Sequence, residues 1–119
     1  MAKKVMVLED EVILVDLLKD LLTLEGYEVS RTTNTEGLLL EMRSSRPDAI
    51  LMDVHLRGAN GLELLGKIRA DQELRETLVV LCSGLDYRQE SLERGADAFL
   101  MKPYMPDDLM KILNQKIKQ

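Results

Sequence analysis

Five polar side chains stand after runs of apolar residues, at points that are far apart in the chain. They are Glu9 and Asp10 after Val5–Leu8, Asp53 after Ala49–Met52, Ser83 after Leu78–Cys82 and Lys102 after Ala98–Met101. Together they offer three carboxylates, one hydroxyl and one ammonium. If folding brings them together, the carboxylates repel each other by several kcal/mol until a proton or a cation relieves the repulsion.

A hard divalent cation relieves this repulsion best, and Mg²⁺ prefers a few carboxylates supplemented by water and phosphate oxygens. With the ion bound, one carboxylate can attack phosphorus and form an acyl phosphate. Ser83 can then donate to one phosphoryl oxygen while Lys102 neutralises another. A simpler alternative stays open, in which the acids cap the following helices and Lys102 neutralises them.

The elements that must position these residues are buried strands. Apolar runs without alternation indicate strands that are covered on both faces of a parallel sheet. Five strand candidates alternate with five helix candidates. This pattern predicts an α/β fold in which one doubly wound, five-stranded parallel sheet carries helices on both faces. The carboxyl ends of parallel strands share one edge, where such sheets bind their ligands.

The element boundaries follow from apolar spacing and from helix-stopping residues. In the first half of the chain the predicted elements are a helix from Val12 that stops before Gly26, a weakly alternating edge strand over Tyr27–Thr32, and a helix over Leu38–Met42 with cap candidates Thr33–Thr35. In the second half they are a helix from about Leu62, a solvated loop over Asp71–Glu76, a helix over Tyr87–Arg94 that Gly95 ends, and a last helix from Pro106. Met105 precedes that helix without a side-chain oxygen, so we expect its start to be weakly held.

The composition describes a soluble globular protein with one domain over residues 1–119, of which 45% are hydrophobic and 31% charged. A net charge of -5 argues against binding nucleic acid or an anionic membrane through this domain. The single cysteine, Cys82, excludes an internal disulfide, and we expect it to pack as a small hydrophobic side chain rather than act in redox chemistry. No signal peptide or membrane span is visible, which favours the cytoplasm.

The same polar residues carry a resemblance to a known family. Over its whole length the chain resembles the receiver domains of bacterial two-component response regulators. The matching segments are Glu9-Asp10 after V-M-V-L, Asp53 after A-I-L-M and before L-x-G-x-N-G, Ser83-Gly84 after L-V-V-L-C, and Lys102-Pro103 after G-A-D-A-F-L-M. The resemblance implies the flavodoxin-like strand order 2-1-3-4-5.

The resemblance further implies a phosphoacceptor signalling domain, which is no enzyme beyond its own phosphorylation and dephosphorylation. Asp53 is the implied acceptor of a phosphoryl group from a phosphohistidine on a sensor histidine kinase or a histidine phosphotransfer protein. The implied cofactor is Mg²⁺, held by Asp10, Asp53, the backbone carbonyl of His55 and, through water, Glu9.

The implied switch uses residues at the ends of the last two strands. Ser83 shifts toward the phosphoryl group, Lys102 binds it and Phe99 turns inward. These movements alter the surface of the fourth helix, fifth strand and fifth helix, through which a homodimer is also expected. The peptide bond between Lys102 and Pro103 is expected to be cis, a form that is otherwise uncommon.

Two features depart from the family pattern. Arg57 stands where proline is common and brings a cation to the pocket mouth. The interval between Ser83 and Lys102 is shorter than usual, so we expect a shortened fourth helix or preceding loop and an altered output surface. The main functional alternative is a receiver-like interaction module that has lost phosphorylation, against which the intact set of polar residues argues. A Mg²⁺-dependent phosphatase would need a second acid placed as general acid, and the sequence supplies none.

Overall fold

The computed structural model describes residues 2–33 and 35–117. In chain order its elements are β1 (Lys4–Leu8), α1 (Val12–Leu24), β2 (Glu28–Arg31), α2 (Leu38–Ser45), β3 (Ala49–Asp53), β4 (His55–Leu56), β5 (Ala59–Asn60), α3 (Gly61–Ala70), β6 (Leu78–Ser83), α4 (Arg88–Glu93), β7 (Ala98–Met101) and α5 (Pro106–Lys116). All five predicted strands and all five predicted helices are present. In these two ranges no helix is both long and apolar enough to cross a membrane.

Five of the strands form one parallel sheet in the order β2-β1-β3-β6-β7. This confirms the strand order 2-1-3-4-5 that the resemblance implied. The predicted edge strand is β2, in which three of four residues are exposed. The register sets Asp53 opposite Cys82 and Ser83 opposite Met101, so the carboxyl ends of the strands share one edge.

Helices cover both faces of the sheet because successive strand residues point to opposite sides. On one face Met6 packs with α2 and α3, including Leu65. On the other face Val7 packs with α1 and α5, including Leu18 and Leu109. Each such buried aliphatic side chain contributes about 1.5–3 kcal/mol. All five residues of β3 are buried, so packing from both faces fixes the carboxyl end of that strand.

A short antiparallel hairpin, β4 with β5, follows β3 and was not predicted. Its strands pair His55 with Asn60 and Leu56 with Ala59, which leaves Arg57 and Gly58 as the turn. Gly58 has a φ of 73°, a left-handed conformation that glycine adopts without strain. Because the hairpin directly follows β3, it starts at the carboxyl-end edge of the sheet.

The start of α3 is fixed by a cap and by a close backbone contact. Asn60 Oδ1 accepts hydrogen bonds from the amides of Leu62 at 2.8 Å and Glu63 at 3.3 Å. A Cβ at Gly61 would lie 2.5 Å from the carbonyl oxygen of Asp53. The absence of a side chain at Gly61 thus lets the helix begin directly against the end of β3.

Two other helix starts test the predicted caps. The cap candidates Thr33–Thr35 include Asn34, which lies outside the described residues, and α2 instead starts after Gly37, which has no side chain to cap it. The prediction of a threonine cap is therefore wrong. At α5, Met105 supplies no side-chain cap, as expected, but its amide donates to Asp108 Oδ2 at 3.1 Å. An acid in the first turn holds this start.

The segment between α3 and β6 is less exposed to solvent than the predicted loop. Leu74 is 1% exposed and belongs to the core. Asp71 accepts hydrogen bonds from the guanidinium of Arg43, which lower the pKa of its carboxyl group. The segment is a loop, as predicted, but the prediction that it is solvated is wrong for these two residues, which anchor it to the core and to α2.

Arg69, near the end of α3, forms hydrogen bonds with several other segments of the chain. Its guanidinium donates to the carbonyl oxygens of Gly95 at 2.9 Å, Arg75 at 3.0 Å and Thr77 at 2.7 Å, and to Asp97 Oδ2 at 2.9 Å. The first of these bonds reaches the end of α4. That helix spans six residues, in keeping with the shortened fourth helix predicted from the sequence.

Candidate functional site

The carboxyl-end edge of the sheet brings together four of the five predicted polar residues. Glu9 follows β1, Asp53 ends β3, Ser83 ends β6 and Lys102 follows β7. The amide of Lys102 donates to the carbonyl oxygen of Ser83 at 2.8 Å, which continues the parallel pairing of β6 and β7 past the end of β7. The strands themselves therefore set the spacing of these side chains.

Lys102 forms ion pairs with two acids at once. Its Nζ donates to Asp53 Oδ2 at 2.6 Å and to Glu9 Oε1. The side chains are 17% exposed for Lys102, 12% for Asp53 and 3% for Glu9. Burial lowers the pKa of the Lys102 ammonium, but its hydrogen bonds to Asp53 and Glu9 raise that pKa by more, so it lies above its ordinary value. The site holds a permanent positive charge between two carboxylates.

The second oxygen of each carboxylate is held by the backbone. Asp53 Oδ1 accepts from the amide of His55 at 2.9 Å, and Glu9 Oε2 accepts from the amide of Glu11 at 3.1 Å. Both bonds span two residues, so each acid is oriented by the turn that directly follows it. The two acids are therefore fixed before any ligand arrives.

Asp10 lies apart from this pair. Among the described residues, the side chains that could converge on one metal ion are Glu9, Asp53 and Cys82, whose candidate ligand atoms lie within 4.8 Å of one another. Asp10 Oδ2 instead accepts from the amide of Arg57 at 3.1 Å, in the turn of the β4–β5 hairpin. The predicted neighbourhood of three carboxylates thus contains two in this structure, with the third displaced toward the hairpin.

Cys82 is 1% exposed and its Sγ lies 3.7 Å from the carbonyl oxygen of Met52. Burial, and then the nearby carboxylate of Asp53, raise the pKa of the thiol well above its ordinary value. The thiol is therefore protonated and unreactive at neutral pH. This agrees with the prediction that Cys82 packs as a small hydrophobic side chain.

An open cleft of about 580 Å³ lies over these residues. Asp53, Ser83 and Lys102 line it, together with His55 and Tyr104. Ser83 is 1% exposed, and its Oγ accepts from the amide of Leu85 at 3.1 Å, which leaves its hydroxyl proton available to a ligand. A nucleophilic oxygen, a hydroxyl donor and an ammonium therefore face one volume that a phosphoryl group could enter.

The sequence profile described as "Response regulator receiver domain" matches residues 5–114. The chain belongs to the response regulator receiver domain family. Polar-differentiation response regulator DivK of Brucella anthropi is 36% identical over 106 residues, which cover 87% of this chain and 86% of DivK.

Two solved receiver domains share the fold. Chemotaxis response regulator CheY4 of Vibrio cholerae superposes with a TM-score of 0.86 and 24% identity, covering 97% of this chain and 98% of that one. The receiver domain of sensor histidine kinase PA1611 from Pseudomonas aeruginosa superposes with a TM-score of 0.83 and 24% identity, covering 97% of each chain. That structure carries a magnesium ion coordinated in its active-site cleft.

The predicted switch residue Phe99 is already buried in this receiver domain, at 3% exposure. The guanidinium of Arg88, at the start of α4, lies 5.6 Å from the centre of its ring and donates to its carbonyl oxygen at 3.3 Å. An inward rotation of Phe99 would therefore begin from a side chain that is already enclosed. The peptide bond between Lys102 and Pro103 is cis, as the resemblance implied.

Two features of the receiver domain's cleft were missed from the sequence. Tyr104 lines the cleft, and its buried hydroxyl has no hydrogen-bond partner within residues 2–33 and 35–117. The sequence offered one signal that Tyr104 lies at the cleft, its position two residues after Lys102. His55 and Tyr87 form an edge-to-face ring pair with centroids 5.4 Å apart, beside the cleft. Nothing in the spacing of these two residues indicated that contact.

Proposed function

We propose that this receiver domain is a phosphoacceptor switch. Asp53 takes a phosphoryl group from a phosphohistidine in a Mg²⁺-dependent reaction, and the change is passed to the surface of α4, β7 and α5. The observation that carries the proposal is the setting of the Asp53 carboxylate. It stands at the end of a fully buried strand, bonded to the ammonium of Lys102, and faces an open cleft.

The chemistry follows from these groups. A carboxylate oxygen of Asp53 forms a bond to phosphorus while the bond between phosphorus and the histidine nitrogen breaks. The imidazole leaves with the electron pair of that bond and takes up a proton from solvent. Lys102 neutralises charge on one phosphoryl oxygen and Ser83 donates to another. The amide of His55 keeps the carboxylate from rotating.

The residues present fit a magnesium ion. Glu9, Asp53 and Lys102 together leave one net negative charge, and Asp10 adds another beside them, which a divalent cation balances. Carboxylate oxygens are ligands that Mg²⁺ prefers, whereas the thiol of Cys82 is protonated and unsuitable. Asp10, Asp53 and the carbonyl of His55 would hold the ion, and Glu9 would act through water. When bound, the ion offsets charge on the carboxylates and the incoming phosphoryl group.

The partners we propose are a sensor histidine kinase or a histidine phosphotransfer protein as donor, in the cytoplasm. Output is assigned to the α4–β7–α5 face, where Leu92 is 47% exposed, Met101 40% and Met105 66%. Apolar side chains this exposed favour a protein contact on that face. A second copy of the chain is one occupant that such a surface accommodates.

The test is phosphorylation by a small donor. The wild-type chain is incubated with acetyl phosphate and Mg²⁺, and its intact mass is measured. We expect a gain of one phosphoryl group, no gain in Asp53→Asn, and no gain when a chelator removes the ion. Asp16→Asn, at an exposed position on α1, is the matched control and keeps the modification. Equal labelling of wild type and Asp53→Asn would refute the assignment of the acceptor.

A further inference from the structure

The hydrogen bond from the Arg57 amide to Asp10 links two parts of the site that are far apart in sequence. Asp10 follows β1, and Arg57 occupies the turn of the β4–β5 hairpin. The donor is the main-chain N–H, so the bond does not depend on the charge of the arginine side chain. It depends on residue 57 having an N–H at all, which every amino acid except proline provides.

The bond draws Asp10 toward the hairpin. The ligand atoms of Glu9 and Asp53 lie within 4.8 Å of each other, whereas no oxygen of Asp10 joins that group. A cation that recruits Asp10 must therefore compete with the Arg57 amide. Hydrogen bonds to charged acceptors are among the stronger ones in proteins, so this competition lowers the affinity for the cation measurably.

We propose that the backbone amide of Arg57 is a positioning group that holds Asp10 out of the cation site and thereby weakens Mg²⁺ binding. This inference rests on the proposed function, which assigns Mg²⁺ to Glu9, Asp10 and Asp53. Its consequence is that the ion, on arrival, exchanges one partner of Asp10 for another. Binding of the ion is in this way coupled to the hairpin turn.

The geometry of the turn allows the amide to be removed alone. Gly58, the third residue of the turn, has a φ of 73°, as in a type II turn, which readily accepts proline at its second position, residue 57. The preceding residue, Leu56, is extended, a conformation that a following proline permits. Arg57→Pro therefore deletes the N–H without requiring a new turn. Arg57→Ala deletes the guanidinium and keeps the N–H.

The experiment measures the Kd for Mg²⁺ by isothermal titration calorimetry in the wild type and both variants. We expect Arg57→Pro to bind about tenfold more tightly and Arg57→Ala to stay within about twofold of the wild type. Unchanged or weaker binding by Arg57→Pro overturns the proposal. Equal tightening in both variants also overturns it, because the side-chain charge would then be the cause.

A measurement on the unaltered chain keeps the proposal testable if Arg57→Pro does not fold. The amide of Arg57 should exchange slowly with solvent in the ion-free protein and faster at saturating Mg²⁺, because the ion takes its acceptor. An exchange rate that is independent of the ion contradicts the inference. Wild-type protein that binds no Mg²⁺ at millimolar concentration refutes the proposed function itself, which is a different outcome from equal affinities in the three proteins.

Discussion

Replacing Lys102 with methionine would remove the ammonium but keep most of the aliphatic stem. Glu9 and Asp53 would then face each other with no cation between them, at 3% and 12% exposure. Breaking a buried ion pair by removing one partner costs about 3–5 kcal/mol. Each acid keeps one amide hydrogen bond, so we expect the lower end, about 3 kcal/mol, or about 10 °C in Tm for a chain of this length.

The assay is urea denaturation at neutral pH without divalent ions. Lys19→Met, at an exposed position on α1, is the control and should change the free energy of unfolding by less than about 0.5 kcal/mol. Added Mg²⁺ should stabilise Lys102→Met more than the wild type, because in the variant no ammonium competes for the two carboxylates. A loss as small as that of Lys19→Met, or a larger effect of Mg²⁺ on the wild type, would refute this account of the site.

The pH dependence has a definite sign. The pKa of Lys102 is raised above its ordinary value of 10.5, so its stabilising contribution is complete below that pH and is lost as the pH rises through the folded-state pKa. Titration of Lys102 should therefore leave the difference in unfolding free energy between the wild type and Lys102→Met unchanged near neutral pH. In strongly alkaline solution that difference should shrink. A difference that grows above pH 10.5 would contradict the assigned ion pairs.

Two further substitutions test how the fold supports the site. Arg69→Met removes four hydrogen bonds, one of them the ion pair with the half-buried carboxylate of Asp97, so the free energy of unfolding should fall by about 3–4 kcal/mol in urea denaturation. Arg94→Met, which loses an exposed pair with Glu90, should cost below about 0.5 kcal/mol. Similar losses in the two would contradict the role given to Arg69. Gly61→Ala places a methyl group 2.5 Å from the Asp53 carbonyl oxygen and should lower the free energy of unfolding by about 1–3 kcal/mol. The control Gly66→Ala, in open space on α3, should leave that free energy unchanged or raise it by up to about 1 kcal/mol. Equal thermal shifts for both glycines would show that the contact at the end of β3 relaxes freely.

The sheet and its functional edge could be predicted because their signals lie in continuous runs of sequence. Ala49–Asp53 is four apolar residues followed by an acid, and the four apolar residues are buried as that pattern indicates. The strand order was supplied by the family resemblance, since periodicity alone does not fix which strands are neighbours. Glu9, Asp53, Ser83 and Lys102 meet because parallel pairing puts the carboxyl ends of their strands at one edge, and the strand order sets β1, β3, β6 and β7 side by side.

The features that escaped prediction depend on contacts that leave no pattern in sequence. The two-residue strands of the hairpin are too short to show any period. Asp10 Oδ2 accepts a hydrogen bond from the backbone amide of Arg57, and the sequence does not show which N–H group an acid will bind. Leu74 sits alone among charged residues, so its burial could not be told from that of an isolated surface leucine. Thr33–Thr35 were good cap residues, but the chain runs on to Gly37 before α2 begins.

The contact between Arg88 and Phe99 would oppose one movement in the proposed switch, the displacement of α4 from β7. Arg88 is the first residue of α4 and Phe99 lies in β7, so the contact bridges the helix and the strand that form one wall of the groove against α5. Any displacement of α4 from β7 must first separate a cation from an aromatic face and from a carbonyl oxygen. In the proposed switch, breaking these two contacts would add to the free energy needed to move α4, and one arginine side chain makes both of them.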